Sequence, residues 1–331
     1  MSPPPHAWVT AIVRAGAVPA NYIPDASVGR DDLEEVAGAE LVEGDALQAH
    51  LVTGGFQPRV AAFLDGIQHW RVVAYDGVTP VVWARVATAV RRRGPNRRPA
   101  TVLEAQREMA ITRVAALSPS VRGALERAGL DVVDLPESDA SQPARALEAA
   151  RRAVERARVE LERDLGERYV VDLGPDEWLV VDGLLSESAP LSEHPRALGV
   201  IKSHGAQYFE GPDLERALKL PAHHRTSVFR PRGRARHAVY SWYLRLWPWE
   251  GNDLLYGLLR VETRAHPEAV ARASLIAGWL MTERAPLATP DARWDRLLYP
   301  IHDVETYLRS RAPRALVPTA GSRLPHAGGG P

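Results

Sequence analysis

Short apolar runs broken by polar turns organise the middle of the chain, and most are of strand length. Val60-Ala61-Ala62-Phe63-Leu64 ends at Asp65-Gly66, and His69-Trp70-Arg71-Val72-Val73-Ala74-Tyr75 ends at Asp76-Gly77, a hairpin signal. A Val- and Ala-rich run over 79–90 follows, so three strands joined by short turns are expected there as an antiparallel meander. Arg, Pro, Gly and Asn over 91–99 mark a loop, with helices expected over 102–116 and 119–128. After a Ser/Pro/Asp-rich joint at 135–143, residues 144–165 carry an apolar seam at helical spacing: Leu147, Ala150, Val154, Ala157, Leu161 and Leu165. Two more apolar runs end in charge, Trp178-Leu179-Val180-Val181 at Asp182-Gly183 and Leu198-Gly199-Val200-Ile201 at Lys202. β-like segments are expected over 238–247 and 254–263, then helices over 267–284 and 300–310. Residues 1–56 mix short helical patterns with turns, and Asp31-Asp32-Leu33-Glu34-Glu35 looks like a helix start with acids in its first turn. No internal repeat is visible.

Strands alternating with helices predict an α/β protein with a mixed sheet flanked by helices and a β-rich insertion. Three regions are expected: an N-terminal helical segment (1–58) packing on or extending the core, a main domain (59–312), and a Pro/Gly/Ala-rich disordered tail (313–331). With 331 residues, 45% hydrophobic and 25% charged, a sizeable core needs no covalent staple. Cysteine is absent, which excludes disulfides, thiolate zinc sites and cysteine nucleophiles and fits a reducing compartment. Met1-Ser2-Pro3-Pro4-Pro5-His6 lacks the basic-then-apolar pattern of a signal peptide, and no apolar stretch is long enough to span a bilayer. A cytoplasmic protein with no membrane association is expected.

Formal net charge is zero, yet arginines cluster at Arg91, Arg92, Arg93, Arg97 and Arg98, and at Arg225, Arg230, Arg232, Arg234 and Arg236. Such clusters can contact phosphates, although solvated turns in an Arg-biased chain look the same. The segment Tyr240-Ser241-Trp242-Tyr243-Leu244-Arg245-Leu246-Trp247 could stack on bases, but alternation between core and a dimer interface is the better expectation.

The candidate chemistry lies in the carboxylates that close apolar runs. Asp65 and Asp182 are each followed by Gly, so both are expected to turn out at the ends of strands, where sites form in open α/β sheets. Two carboxylates meeting there repel unless a cation sits between them. An all-oxygen site suits Mg²⁺ or Mn²⁺ and can activate water for phosphodiester hydrolysis. A third carboxylate is expected from the long helix, as Glu155, Glu160 or Glu162, each of which could instead pair with a helix arginine. Lys202 is one of only two lysines, and at a strand end it can hold a phosphate; His204 follows closely. Near the C-terminus, Tyr299-Pro300 opens a helix on which His302, Asp303 or Glu305 can point at the site. There is no Gly-x-Ser-x-Gly elbow, no His-Glu-x-x-His and no phosphate loop, so any ATP-driven motor is a separate protein.

In order, Phe63-Leu64-Asp65-Gly66, Leu179-Val180-Val181-Asp182-Gly183-Leu184-Leu185, Gly199-Val200-Ile201-Lys202 and Tyr299-Pro300 resemble the NurA nuclease family over roughly 59–310. The resemblance implies a ribonuclease-H-like fold, Mn²⁺- or Mg²⁺-dependent cleavage of DNA, a homodimer, and a HerA-like hexameric ATPase as partner in end processing, repair or phage defence. It implies metal binding by Asp65, Glu162 and Asp182, with Lys202 as a further catalytic residue; on the nuclease reading His302 would also be catalytic, assisting water or product release. The family's helix Glu lies roughly twenty residues before the second Asp, which favours Glu162, while the extra segment 167–177 allows Glu155. Family members carry a His further into the last helix, where this chain has Glu305. The alternative function is a catalytically inactive scaffold that binds DNA or a partner ATPase.

Overall fold

The computed structural model describes residues 7–22, 37–140, 142–204, 206–233, 235–285 and 294–311. The expected helix start at Asp31 and the expected tail beyond 312 lie outside them. The chain begins with helix α1 (Ala7–Arg14) and strands β1 (Val18–Tyr22), β2 (Ala39–Leu41) and β3 (Ala49–Leu51). Three long strands follow, β4 (Val60–Asp76), β5 (Thr79–Arg93) and β6 (Pro99–Thr112), then α2 (Pro119–Arg127), β7 (Asp131–Asp134) and α3 (Glu137–Ala140). Next come α4 (Pro143–Val171), β8 (Glu177–Asp182), α5 (Ala189–Glu193), β9 (Ala197–Ile201) and α6 (Gly211–Leu218). The chain continues through β10 (His224–Thr226), β11 (Phe229–Pro231), β12 (Val239–Arg245), β13 (Leu258–Arg264), α7 (Pro267–Glu283) and α8 (Tyr299–Ser310).

The strands build one large mixed sheet in the order β2-β11-β12-β13-β9-β8-β4-β5-β6-β7. β4, β5 and β6 form an antiparallel meander, while β8 lies parallel to both β4 and β9. α4 covers one face, where Ala149, Ala150, Ala153 and Val154 meet Val82, Ala84 and Val86. α7 and α8 cover the other, with Trp279, Ile301 and Val304 packed on Phe63, Val180 and Val200. Burial on both faces explains why the central strands read as unbroken apolar runs. The segment expected as a β-rich insertion forms β10–β13, which extend this same sheet.

Several expectations are corrected. Asp65-Gly66 ends no strand, since β4 runs through it to Asp76 and the two runs read as separate strands are one. Residues 99–112 are a strand, where a helix was expected over 102–116. Leu103, Glu104, Gln106 and Arg107 are good helix formers, but exposure alternates with period two over 100–107 and nearly the whole strand pairs with β5. Tertiary pairing overrides propensity there. The N-terminal segment is only partly helical: β1 pairs with β4, β2 with β11 and β3 with β10.

Most of the clustered arginines face acids of the chain, although Arg92, Arg230, Arg232 and Arg236 are themselves exposed. Arg91 donates to Asp303 and Thr101, Arg92 to Glu177, and Arg93 clamps Glu283 with two nitrogens. Arg225 is buried and clamps Glu43, while Arg230 and Arg232 face Glu40 and Arg236 faces Glu187. Arg97 and Arg98 stay exposed, and Arg234 lies outside the described residues. The aromatic segment belongs to the core, with Tyr240, Trp242 and Tyr243 all buried. No helix among the described residues is long and apolar enough to cross a membrane.

Candidate functional site

The register of the parallel strands brings the two aspartates together. Leu64 pairs with Val181, so the next residues, Asp65 and Asp182, stand side by side and, by the pleat, on one face. Asp182 pairs with Val200, which places Lys202, two residues on, on that face as well. β8 stops at Asp182 while β4 continues, and β1 joins the β4 edge only at Val72. The sheet therefore has a notch beside residues 66–71 of β4, and the site sits in it.

The turn out of β8 is built for this stop. Gly183 has φ +147°, a conformation that side-chain-bearing residues rarely adopt. The buried Glu262 then accepts from the backbone N–H of Leu185 (2.8 Å) and Ser186 (3.2 Å), pinning the chain beyond the turn. Gly66 serves close approach, not turning. A Cβ there would collide with the Glu162 carboxyl, whose Cδ and Cγ would both lie 3.0 Å away. Glu162 thus reaches the notch from α4, on the opposite face of the sheet from α8.

The resulting cavity, about 440 Å³, is lined by Asp65, Asp182, Lys202, Arg158, Arg296, His302, Glu305 and Arg309, among others. Asp65 is 6% exposed, and among the described residues its carboxylate accepts only the N–H of Gly66 (2.7 Å). Burial first, then the charge of Asp182, pushes Asp65 well above the usual carboxylate range; Lys202 opposes this and Glu162 adds to it. Glu162, also 6% exposed, is pushed up to about 7 by burial, against the pull of Arg158, which donates to it. Lys202 donates to Asp182 at 2.8 Å. Burial works against its ammonium, but the carboxylates of Asp182 and Asp65 outweigh that and hold Lys202 above the ordinary lysine value.

Among the sequence candidates, Asp65, Glu162, Asp182, Lys202 and His302 converge. Glu155 and Glu160 are exposed on α4, and Glu155 pairs with Arg151, so the helix carboxylate at the notch is Glu162. On α8, Asp303 is held by Arg91, whereas His302 and Glu305 line the cavity, 3.8 Å apart. The Glu305 charge also acts on Lys202. His204 is turned away: its Nε2 donates to the Leu258 carbonyl at 3.0 Å, and burial pushes its pKa down to about 4. Arg158, Arg296 and Arg309 were missed as site residues. Arg158 lies four residues before Glu162, a spacing that signals pairing but not burial.

The donors are carboxylates and one imidazole, a set that suits a hard divalent cation. Asp65 is the observation that fits one: a buried carboxylate facing two more acids, with positive charge as its relief. Among the described residues, no three His, Asp or Glu side chains already stand as a cation cage. Asp182 is instead held by Lys202 and Glu162 by Arg158. No protein-family model matches the chain, and no curated protein matches it.

Proposed function

We propose that the chain is a divalent-metal-dependent DNA nuclease of the NurA type on a ribonuclease-H-like core. The supporting observation is the convergence of Asp65, Asp182, Glu162 and Lys202, from four separate elements, on one notch. The layout agrees: an antiparallel meander, a long helix, then two parallel strands beside the first.

Asp65, Glu162 and Asp182 are the residues that would hold Mg²⁺ or Mn²⁺, which when bound supplies a Lewis acid and lowers the pKa of water. Lys202 and Arg296 offer positive charge to a scissile phosphate. Lys202, paired with Asp182 at 2.8 Å, is the ammonium that would serve the substrate. His302, with Glu305 at its Nδ1 edge and the Thr306 hydroxyl at its Nε2, is the residue assigned to assist water or product release. A HerA-like ATPase and a second copy of the chain remain the proposed partners, in end processing or phage defence.

The test is cleavage of labelled single- and double-stranded DNA by the purified protein with Mn²⁺, Mg²⁺ or EDTA. Asp65→Asn and Asp182→Asn should abolish cation-dependent cleavage while leaving the fold intact. Cleavage that survives both substitutions would refute the assignment. A second reading, a non-catalytic scaffold that binds DNA or a partner ATPase, is favoured by the ion pairs that already engage Asp182 and Glu162. It predicts DNA binding with no cleavage under any cation.

A further inference from the structure

A second cavity, of about 520 Å³, lies at the opposite end of β8 from Asp182. It forms between the segment leading into β4, the turn leading into β8, and the outer face of α7. Its back wall is aromatic. The Phe56 ring centre lies 5.3 Å from that of Trp178 and 5.7 Å from that of Trp279. Phe56 is seated there because Gly55 meets Gly278 of α7 backbone to backbone, with no room for a Cβ on either. Leu275 stands at the mouth, 49% exposed.

Three guanidinium groups surround this wall. Arg196 is fixed, donating to the carbonyls of Glu177 (3.2 Å) and Gly174 (3.3 Å). Arg59 and Arg272 are exposed and make no hydrogen bond or ion pair with another described residue. Asp176 is the one acid among the lining residues, so the cavity is positive. That contrasts with the notch, where Lys202, Arg158 and Arg309 each face a carboxylate. His194 nearby is pushed down by burial and then by the charges of Arg196 and Arg264, which fits uncompensated positive charge at this end of the sheet.

Two planar donors carried by different walls suit the oxygens of a phosphate. A phosphate alone needs no apolar wall and fills little of a cavity this size. A flat ring attached to it would use the Phe56 and Leu275 surfaces. We infer that this cavity binds a nucleoside phosphate, with the phosphate between Arg59 and Arg272 and the base against Phe56 and Leu275. The inference stands apart from the nuclease reading. A free nucleotide and a nucleotide within a single DNA strand offer the same chemistry.

The test is calorimetric titration of the full chain in EDTA with deoxyadenosine 5′-monophosphate, deoxyadenosine and inorganic phosphate. The nucleotide should bind at least about tenfold more tightly than either fragment. Arg59→Ala and Arg272→Ala, both at exposed positions, should each weaken it by about tenfold or more. Asp65→Asn should leave it unchanged. A short single-stranded oligonucleotide that displaces the mononucleotide assigns the cavity to a DNA strand; failure to displace it assigns the cavity to free nucleotide, and both outcomes support the site. Equal affinity for phosphate and nucleotide, no saturable binding, binding indifferent to Arg272→Ala, or binding lost in Asp65→Asn would each overturn it.

Discussion

Replacing Glu162 by Gln should stabilise the cation-free protein at pH 8 and leave its stability nearly unchanged at pH 4. Glu162 is 6% exposed, and its folded-state pKa of about 7 stands against an ordinary 4.5. A carboxyl raised in this way favours folding fully below the unfolded value. That contribution is lost as pH climbs through the folded value. The rise from 4.5 to about 7 corresponds to roughly 3 kcal/mol at about 1.4 kcal/mol per pH unit. Gln keeps the shape and one acceptor for Arg158 but removes the main counter-charge of that guanidinium, leaving it those of Asp65 and Asp182, so a net gain of about 1–3 kcal/mol is expected. The assay is urea unfolding of both proteins in EDTA across this pH range, comparing differences at each pH so that other titrating groups cancel. Adding Mn²⁺ should stabilise the parent protein at pH 8 and the variant much less. A variant destabilised by the same amount at pH 4 and pH 8 would overturn this, because a pH-independent loss means that Glu162 acts only as a packing and hydrogen-bonding group.

Lys202→Met removes the cation beside Asp182 and Asp65 and should cost about 3–5 kcal/mol in EDTA, measured by urea unfolding, with part of the loss recovered in Mn²⁺. Gly66→Ala should displace Glu162, costing about 1–3 kcal/mol and lowering cation-dependent cleavage at least tenfold; an unchanged cleavage rate would mean that Glu162 is dispensable. Arg93→Met strips the buried Glu283 of its charge partner and should cost about 3 kcal/mol or more while leaving the salt dependence of DNA binding unaltered. A smaller salt slope at full stability would return Arg93 to the DNA surface.

The chemistry of the notch was legible because it depends on residue type next to apolar runs. Asp182 and Lys202 close the strands that their flanking residues predict, and the helix over 144–165 falls within α4. Asp65 was picked out for a reason that the fold corrects: it lies within a long strand, and Gly66 serves a helix carboxylate instead of a turn. Helix periodicity left Glu155, Glu160 and Glu162 open, since acids and arginines alternate there and any of them can pair along the surface, and only the family resemblance favoured Glu162. Burial separates them, and burial follows from where α4 packs on β4, with the Glu162 carboxyl against Gly66.

By itself the linear order determined the alternation of strands and helices, the lack of thiol chemistry, and which carboxylates stand at apolar borders. The folded chain alone reveals that residues 99–112 pair as a strand, that Arg91, Arg92 and Arg93 pair with acids far along the chain, and that His302 and Glu305 rather than Asp303 face the cavity. The difference is one of range. Local pattern sets what a segment can be, whereas partners far along the chain set which of its faces loses water and which charge it meets.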